Sequence, residues 1–106
     1  MNKELLKGTT DLLILKILKD EPLYGYGIIK KISLISRGTF DFKEGTLYPI
    51  LHALESSGDI ESYWEESLGE RKRKYYRITE RGMGQLETKK NEWLNFSELV
   101  KTVLDH

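Results

Sequence analysis

Four consecutive cations, Arg71-Lys72-Arg73-Lys74, follow directly on a glycine-containing turn, Leu68-Gly69-Glu70. A positive tip beside a turn is what a phosphate backbone attracts, because cations displace its counterions and bond its oxygens. The preceding stretch holds Glu61, Glu65 and Glu66. Ion pairs across a hairpin therefore account for part of the charge, but not for all of it at the tip. A second candidate surface lies upstream. Leu47, Ile50, Leu51 and Leu54 fall at i, i+3, i+4 and i+7, one face of a helix. The opposite face, Gly45, Tyr48, Pro49, His52 and Ser56, is small and polar. A duplex can approach such a face closely, although the same pattern also suits an ordinary amphipathic core helix.

Catalytic chemistry finds little to work with. His52 and His106 are far apart in the sequence, and without cysteine two histidines make no zinc spacing. Glu61, Glu65 and Glu66 lie on a predicted hairpin with nothing to desolvate an acid/base pair. Gly25 and Gly27 complete neither a dinucleotide nor a P-loop spacing, and no strand is predicted before them. No catalytic residue, metal site or cofactor is expected.

The elements that would position these residues can be read in order. Thr9-Thr10-Asp11 starts a helix, with a hydroxyl cap and an acid in the first turn. Leu12 to Leu18 is apolar nearly all round, which makes this helix central, and Asp20-Glu21-Pro22 ends it. Leu23-Tyr24-Gly25-Tyr26-Gly27 reads as a compact turn before a second helix with a buried stripe of Ile28, Ile32 and Ile35. Arg37-Gly38-Thr39 breaks it. The third helix runs from near Glu44 or Thr46 to Ser57-Gly58, where glycine accepts the left-handed closing conformation. A start near Glu44 would put Pro49 inside the helix and distort it slightly. After Gly58 the period changes to two, and Ile60–Glu66 and Arg71–Ile78 read as a hairpin. From Thr79 onward a last helix carries Leu86, Trp93 and Val100 seven apart, and likewise Phe96 and Val103, close to a coiled-coil seam. Its apolar stripe would stay wet unless a second copy covers it.

Seventeen cations balance seventeen acids, so total charge argues neither for nor against nucleic acid. The absence of cysteine excludes disulfides and removes a usual sign of secretion. No apolar run approaches the ~20 residues of a membrane span, and Met1 onward lacks a signal-peptide pattern. A cytoplasmic protein without membrane contact is expected. The predicted fold class is mainly α with a small β-hairpin, a winged helix-turn-helix domain over residues 1–79 followed by a long dimerisation helix over 80–106.

Three blocks, Leu23-Tyr24-Gly25-Tyr26-Gly27-Ile28, Glu44-Gly45-Thr46-Leu47-Tyr48-Pro49 and Arg73-Lys74-Tyr75-Tyr76-Arg77-Ile78-Thr79-Glu80-Arg81-Gly82, resemble the signature of the PadR family of transcriptional regulators. Their order and spacing are similar too, across roughly residues 8 to 104. The resemblance implies a homodimeric repressor on a palindromic operator in double-stranded DNA, with the third helix as recognition helix. Carried over by position, Lys43, Thr46 and Tyr48 would face DNA, Tyr24 and Tyr26 would lie near the backbone, and Arg71, Lys72, Arg73 and Lys74 would form or flank the wing. Each has a rival use: Thr46 as a helix cap, Tyr48 against the core, and Lys74 or Arg77 paired with Glu61 or Glu65. The dimer interface would take Leu5, Leu6, Leu86, Trp93, Phe96, Val100 and Val103. Because the sequence stops at His106, it is similar to the smaller subfamily with a single C-terminal helix. Some members of that subfamily respond to flat hydrophobic or phenolic compounds, which would place a small hydrophobic ligand against Trp93. Plain interface packing is that residue's other use. A different class of function also fits the residues: a winged-helix module whose basic wing docks an acidic protein partner without reading a DNA sequence.

Overall fold

The computed structural model describes residues 8–66, 69 and 71–106. Leu5 and Leu6, expected at a dimer interface, lie outside the described residues, as do Leu68 and Glu70 of the turn. Among the described residues four helices and three strands follow in the order α1 (Thr10–Asp20), β1 (Leu23–Tyr24), α2 (Gly25–Ile35), α3 (Glu44–Ser56), β2 (Ile60–Glu65), β3 (Arg73–Ile78) and α4 (Glu80–Leu104).

Helix α1 is central, as its all-round apolar sequence requires. Ile14, Leu15, Ile17 and Leu18 are buried, and the chain leaves helical geometry at Glu21, just before Pro22. Helices α2 and α3 pack around it through Ile28, Ile32, Leu47 and Leu51. The buried stripe of α2 differs from the expected one. Ile29 takes the third place, while Ile35, 62% exposed, sits on the last turn beyond the reach of the core. Helix α3 begins at Glu44, with Lys43 in the cap position, so Pro49 lies inside it and the Gly45 carbonyl has no helical N–H to accept. Its far end closes as the sequence foretold. Gly58 is left-handed (φ 84), the Asp59 amide donates to the Leu54 carbonyl and the Gly58 amide to that of Glu55.

The sheet has three strands rather than the two of the expected hairpin. Leu23-Tyr24 pairs antiparallel with Tyr76-Tyr75, giving the order β1-β3-β2. A two-residue strand carries no periodicity that a sequence could show. Strand β3 starts at Arg73, so Arg71 and Lys72 belong to the connection before it. One sheet face carries Tyr63, Tyr75 and Tyr24 in a row, with ring centroids 5.9 and 5.6 Å apart. The other face turns inward with Ile60 and Tyr76.

Among the described residues, helix α4 joins this body by its first turns. Thr79 caps it, accepting from the Gly82 amide at 3.0 Å, while its hydroxyl reaches the Gly58 carbonyl at 2.6 Å. Lys89 ties it to α1 through a 2.9 Å ion pair with Asp11. Leu86, assigned from sequence to a dimer interface, is instead 2% exposed within the core of its own protomer. The seven-residue repeat placed it on the same stripe as Trp93 and Val100, and that assignment is corrected. The inner end of the stripe is used at home, and the rest runs out beyond the domain. A 25-residue helix is ~37 Å long. It raises the radius of gyration to 15.2 Å, against ~13 Å for a compact chain of this length.

Candidate nucleic-acid interface

The first turn of α2, the exposed side of α3 and the wing formed by β2 and β3 enclose an open groove of ≈ 630 Å³. Of the residues singled out from sequence, Tyr24, Tyr26, Tyr48, Arg71, Lys72, Arg73 and Lys74 line it together. Lys43 and Thr46 stand outside it, both exposed at the start of α3. Thr46 is not the helix cap: that position is Lys43, and the Thr46 amide donates to the Lys43 carbonyl at 3.0 Å. Its hydroxyl is therefore not committed to a capping bond.

Tyr48 neither turns into the core nor projects freely. Its ring lies against the backbone at Gly25 and stays 43% exposed. A Cβ at position 25 would stand 2.5 Å from the Tyr48 hydroxyl and 2.8 Å from Cζ, so only glycine admits the ring in this pose. This contact links two of the sequence blocks. The glycine of the first is the seat for the tyrosine of the second.

Each wing cation has a different setting. The Arg73 guanidinium lies 4.5 Å from the Tyr24 ring centroid, a cation–π arrangement that leaves its charge near the groove. Lys74 pairs with Glu55 on α3 at 3.8 Å rather than across the hairpin, and its ammonium is 5.7 Å from the Tyr76 ring. Arg77 does pair across the strands, with Glu61 at 2.7 Å. Arg71 and Lys72 are exposed at the groove mouth. Glu55 also accepts from the Ser62 hydroxyl, which ties the wing to the end of α3. Burial first, then the nearby Glu55 and Tyr48, push the Tyr76 phenol above its ordinary 10.0. That group stays a neutral donor at physiological pH.

Two features had no clear signal in the sequence. Trp64, read there only as a strand residue, lines the groove and is 60% exposed. Asp59 is buried where α3, β2 and α4 meet. Its carboxylate accepts from the Ser57 hydroxyl at 3.0 Å and from Arg81 at 3.2 Å, and its carbonyl accepts from the Thr79 amide at 3.1 Å. Gly82 presses on the same point, where an added Cβ would stand 2.0 Å from the Asp59 carbonyl oxygen. The third sequence block is thus the joint that sets α4 against the end of α3 and the start of β2.

Residues 14–88 match the transcriptional regulator PadR-like family. The chain belongs to that family. Solved relatives agree over most of their length. A PadR-like transcriptional regulator from Bacillus cereus is 35% identical, with a TM-score of 0.84, covering 98% of this chain and 99% of its own. A PadR family regulator from Eggerthella lenta is 35% identical at a TM-score of 0.85, covering 95% and 86%. A transcriptional regulator from Clostridium thermocellum is 36% identical at 0.82, covering 97% and 96%. The PadR winged-helix fold with its C-terminal helix is therefore the fold of this chain, and a transcriptional regulator of this family is what it is. Family and structural neighbours are regulators, not enzymes. Among the described residues no helix is long and apolar enough to cross a membrane.

On α4, Trp93, Phe96, Val100 and Val103 are all exposed. The residues with metal-ligand chemistry, His52 included, gather into no cluster among those described.

Proposed function

We propose that this regulator is a repressor that binds a palindromic operator as a homodimer, with α3 as recognition helix and the β2–β3 hairpin as wing. The supporting observation is the groove, where seven aromatic and basic residues singled out from sequence, from β1, α2, α3, β3 and the connection before β3, meet. Division of labour follows from placement. Thr46 and Tyr48 on the exposed side of α3 read base edges, and Arg71, Lys72 and Arg73 hold phosphates on the flank. Lys43 and Tyr26 add backbone contacts at the ends of their helices. Net neutrality is no obstacle, because distribution matters more than the sum and four cations, Arg71, Lys72, Arg73 and Lys74, line the groove.

Two protomers join through α4. Trp93, Phe96, Val100 and Val103 supply the apolar seam that a free chain leaves in water. Half-sites then fall one duplex turn apart, ~34–36 Å. A planar hydrophobic or aromatic effector stacks against Trp93 at the seam and relieves repression by changing the spacing of the two heads. The test for that is fluorescence titration with planar aromatic compounds. Unchanged emission, or equal binding by Trp93→Ala, would remove the effector from the scheme.

Lys72→Ala and Tyr48→Ala separate the two kinds of DNA contact. The first weakens specific and random duplexes alike, and the second relaxes sequence preference. Equal effects of both variants on both duplexes would contradict the assignment. Binding of an acidic protein in place of any duplex would favour the protein-docking module.

A further inference from the structure

Among the described residues, Trp64 is the one aromatic lining the groove that lies outside the three sequence blocks. Strand β2 sends alternate residues to the inward face, and their burial fades toward the wing tip. Ile60 is 1% exposed, Ser62 is bonded to Glu55, and Trp64 has passed beyond the core with 60% of its surface in water. Strand pairing puts it opposite Lys74. Tyr48 and Gly25 line the same groove, and Arg71 and Lys72 stand at its mouth. An indole left open among cations contributes little to the fold, but its flat apolar face and single N–H suit a surface that is half apolar and half anionic. A sugar–phosphate strand is such a surface. Its deoxyribose offers C–H groups and its phosphate offers acceptors.

We propose that Trp64 is a DNA-contacting residue, packing its indole on a deoxyribose of the strand that runs between recognition helix and wing and donating Nε1–H to an adjacent phosphate. This rests on the DNA-binding reading above and adds a residue to it. Because the contact is with backbone, it is blind to sequence. Because it is not ionic, it leaves the salt dependence of binding unchanged.

The experiment uses the full-length chain with a duplex from the DNA upstream of its own gene, and a random duplex beside it. In isotope-labelled protein bound to unlabelled duplex, filtered NOE spectra will show cross-peaks from the Trp64 ring to deoxyribose protons. The Trp64 signals are assigned by their loss in Trp64→Phe. Trp64→Ala will weaken both duplexes by a similar factor, roughly tenfold or ~1.4 kcal/mol, at an unchanged salt slope. Trp64→Phe, which keeps an apolar face, will lose less. A folded, DNA-bound protein with no such cross-peaks, or Trp64→Ala binding both duplexes as the unaltered chain does, overturns the contact and leaves the DNA-binding reading standing. Failure of the unaltered chain to bind either duplex overturns that reading and this contact with it.

Discussion

Gly25→Ala separates recognition from folding. The new Cβ would stand 2.5 Å from the Tyr48 hydroxyl, 2.8 Å from Cζ and 3.0 Å from Cε1. Ordinary contact needs about 3.5 Å or more between heavy atoms, so the far end of the ring must move by roughly 1 Å. Only the tip of a half-exposed side chain is in the way, so the move is cheap in stability. Position 25 is the first residue of α2, so alanine there gains less than the ~1 kcal/mol it holds over glycine in a helix interior. The unfolding midpoint should therefore stay near that of the parent or rise slightly. Binding should behave otherwise. If Tyr48 reads a base edge from its seat on Gly25, losing the seat costs most of one base contact, about 1–3 kcal/mol or roughly 5- to 150-fold in affinity for the specific site. Fluorescence anisotropy with labelled operator and random duplex at fixed salt measures this, with urea unfolding as the stability control. The double variant Gly25→Ala/Tyr48→Ala should bind no worse than Tyr48→Ala alone, because both changes remove the same contact. Unchanged discrimination in Gly25→Ala, or additive losses in the double variant, would refute the reasoning.

Further expectations follow from the same geometry. Gly82→Ala drives a Cβ to 2.0 Å from the Asp59 carbonyl, a backbone atom that cannot swing aside. Urea unfolding should show a loss of about 3 kcal/mol or more, and a loss below about 1 kcal/mol would mean that the joint is softer than drawn. The raised Tyr76 phenol means that the folded state holds its proton more tightly than the unfolded chain does. Its contribution is complete below the ordinary value of 10.0 and is lost as pH climbs through the raised one. Lys89, raised by its bond to Asp11, acts in the same direction from 10.5. Tyr76→Phe should therefore lessen the fall in urea midpoint between about pH 9 and about pH 11, and an equal fall would show that Tyr76 takes no part. Phe96→Asp with Val100→Asp places charge on the proposed seam without touching the core. Sedimentation should shift from dimer to monomer, and an unchanged mass would place the dimer contact elsewhere.

Several elements were legible because a single physical rule dominates them. The all-round apolar Leu12–Leu18 could only be a central helix, and Gly58 could only close α3 in a left-handed turn. The change of period after Gly58 announced the hairpin. Less legible were features that depend on residues distant in sequence. β1 is two residues long and exists because β3 offers an edge. The seat of Tyr48 on Gly25 joins positions 23 apart in sequence, and neither segment alone distinguishes it from a turn glycine and a helix tyrosine. Leu86 and Trp93 shared one stripe in the sequence, but only the length of the body reveals that the first is covered at home. Trp64 was invisible as a groove residue because strand alternation gives a side and not a depth. For the candidate site, the sequence pointed to the wing cations, and the three blocks contributed the tyrosines. The structure contributed their convergence.

The most direct test of the central claim is binding to the DNA immediately upstream of the chain's own gene, measured at several salt concentrations against a random duplex. A sequence-reading dimer gives tight binding at two protomers per site, with log K falling by about 0.9 per phosphate contact for each tenfold rise in salt. Binding no tighter than to random duplex, or one protomer per site with little response to salt, would contradict it.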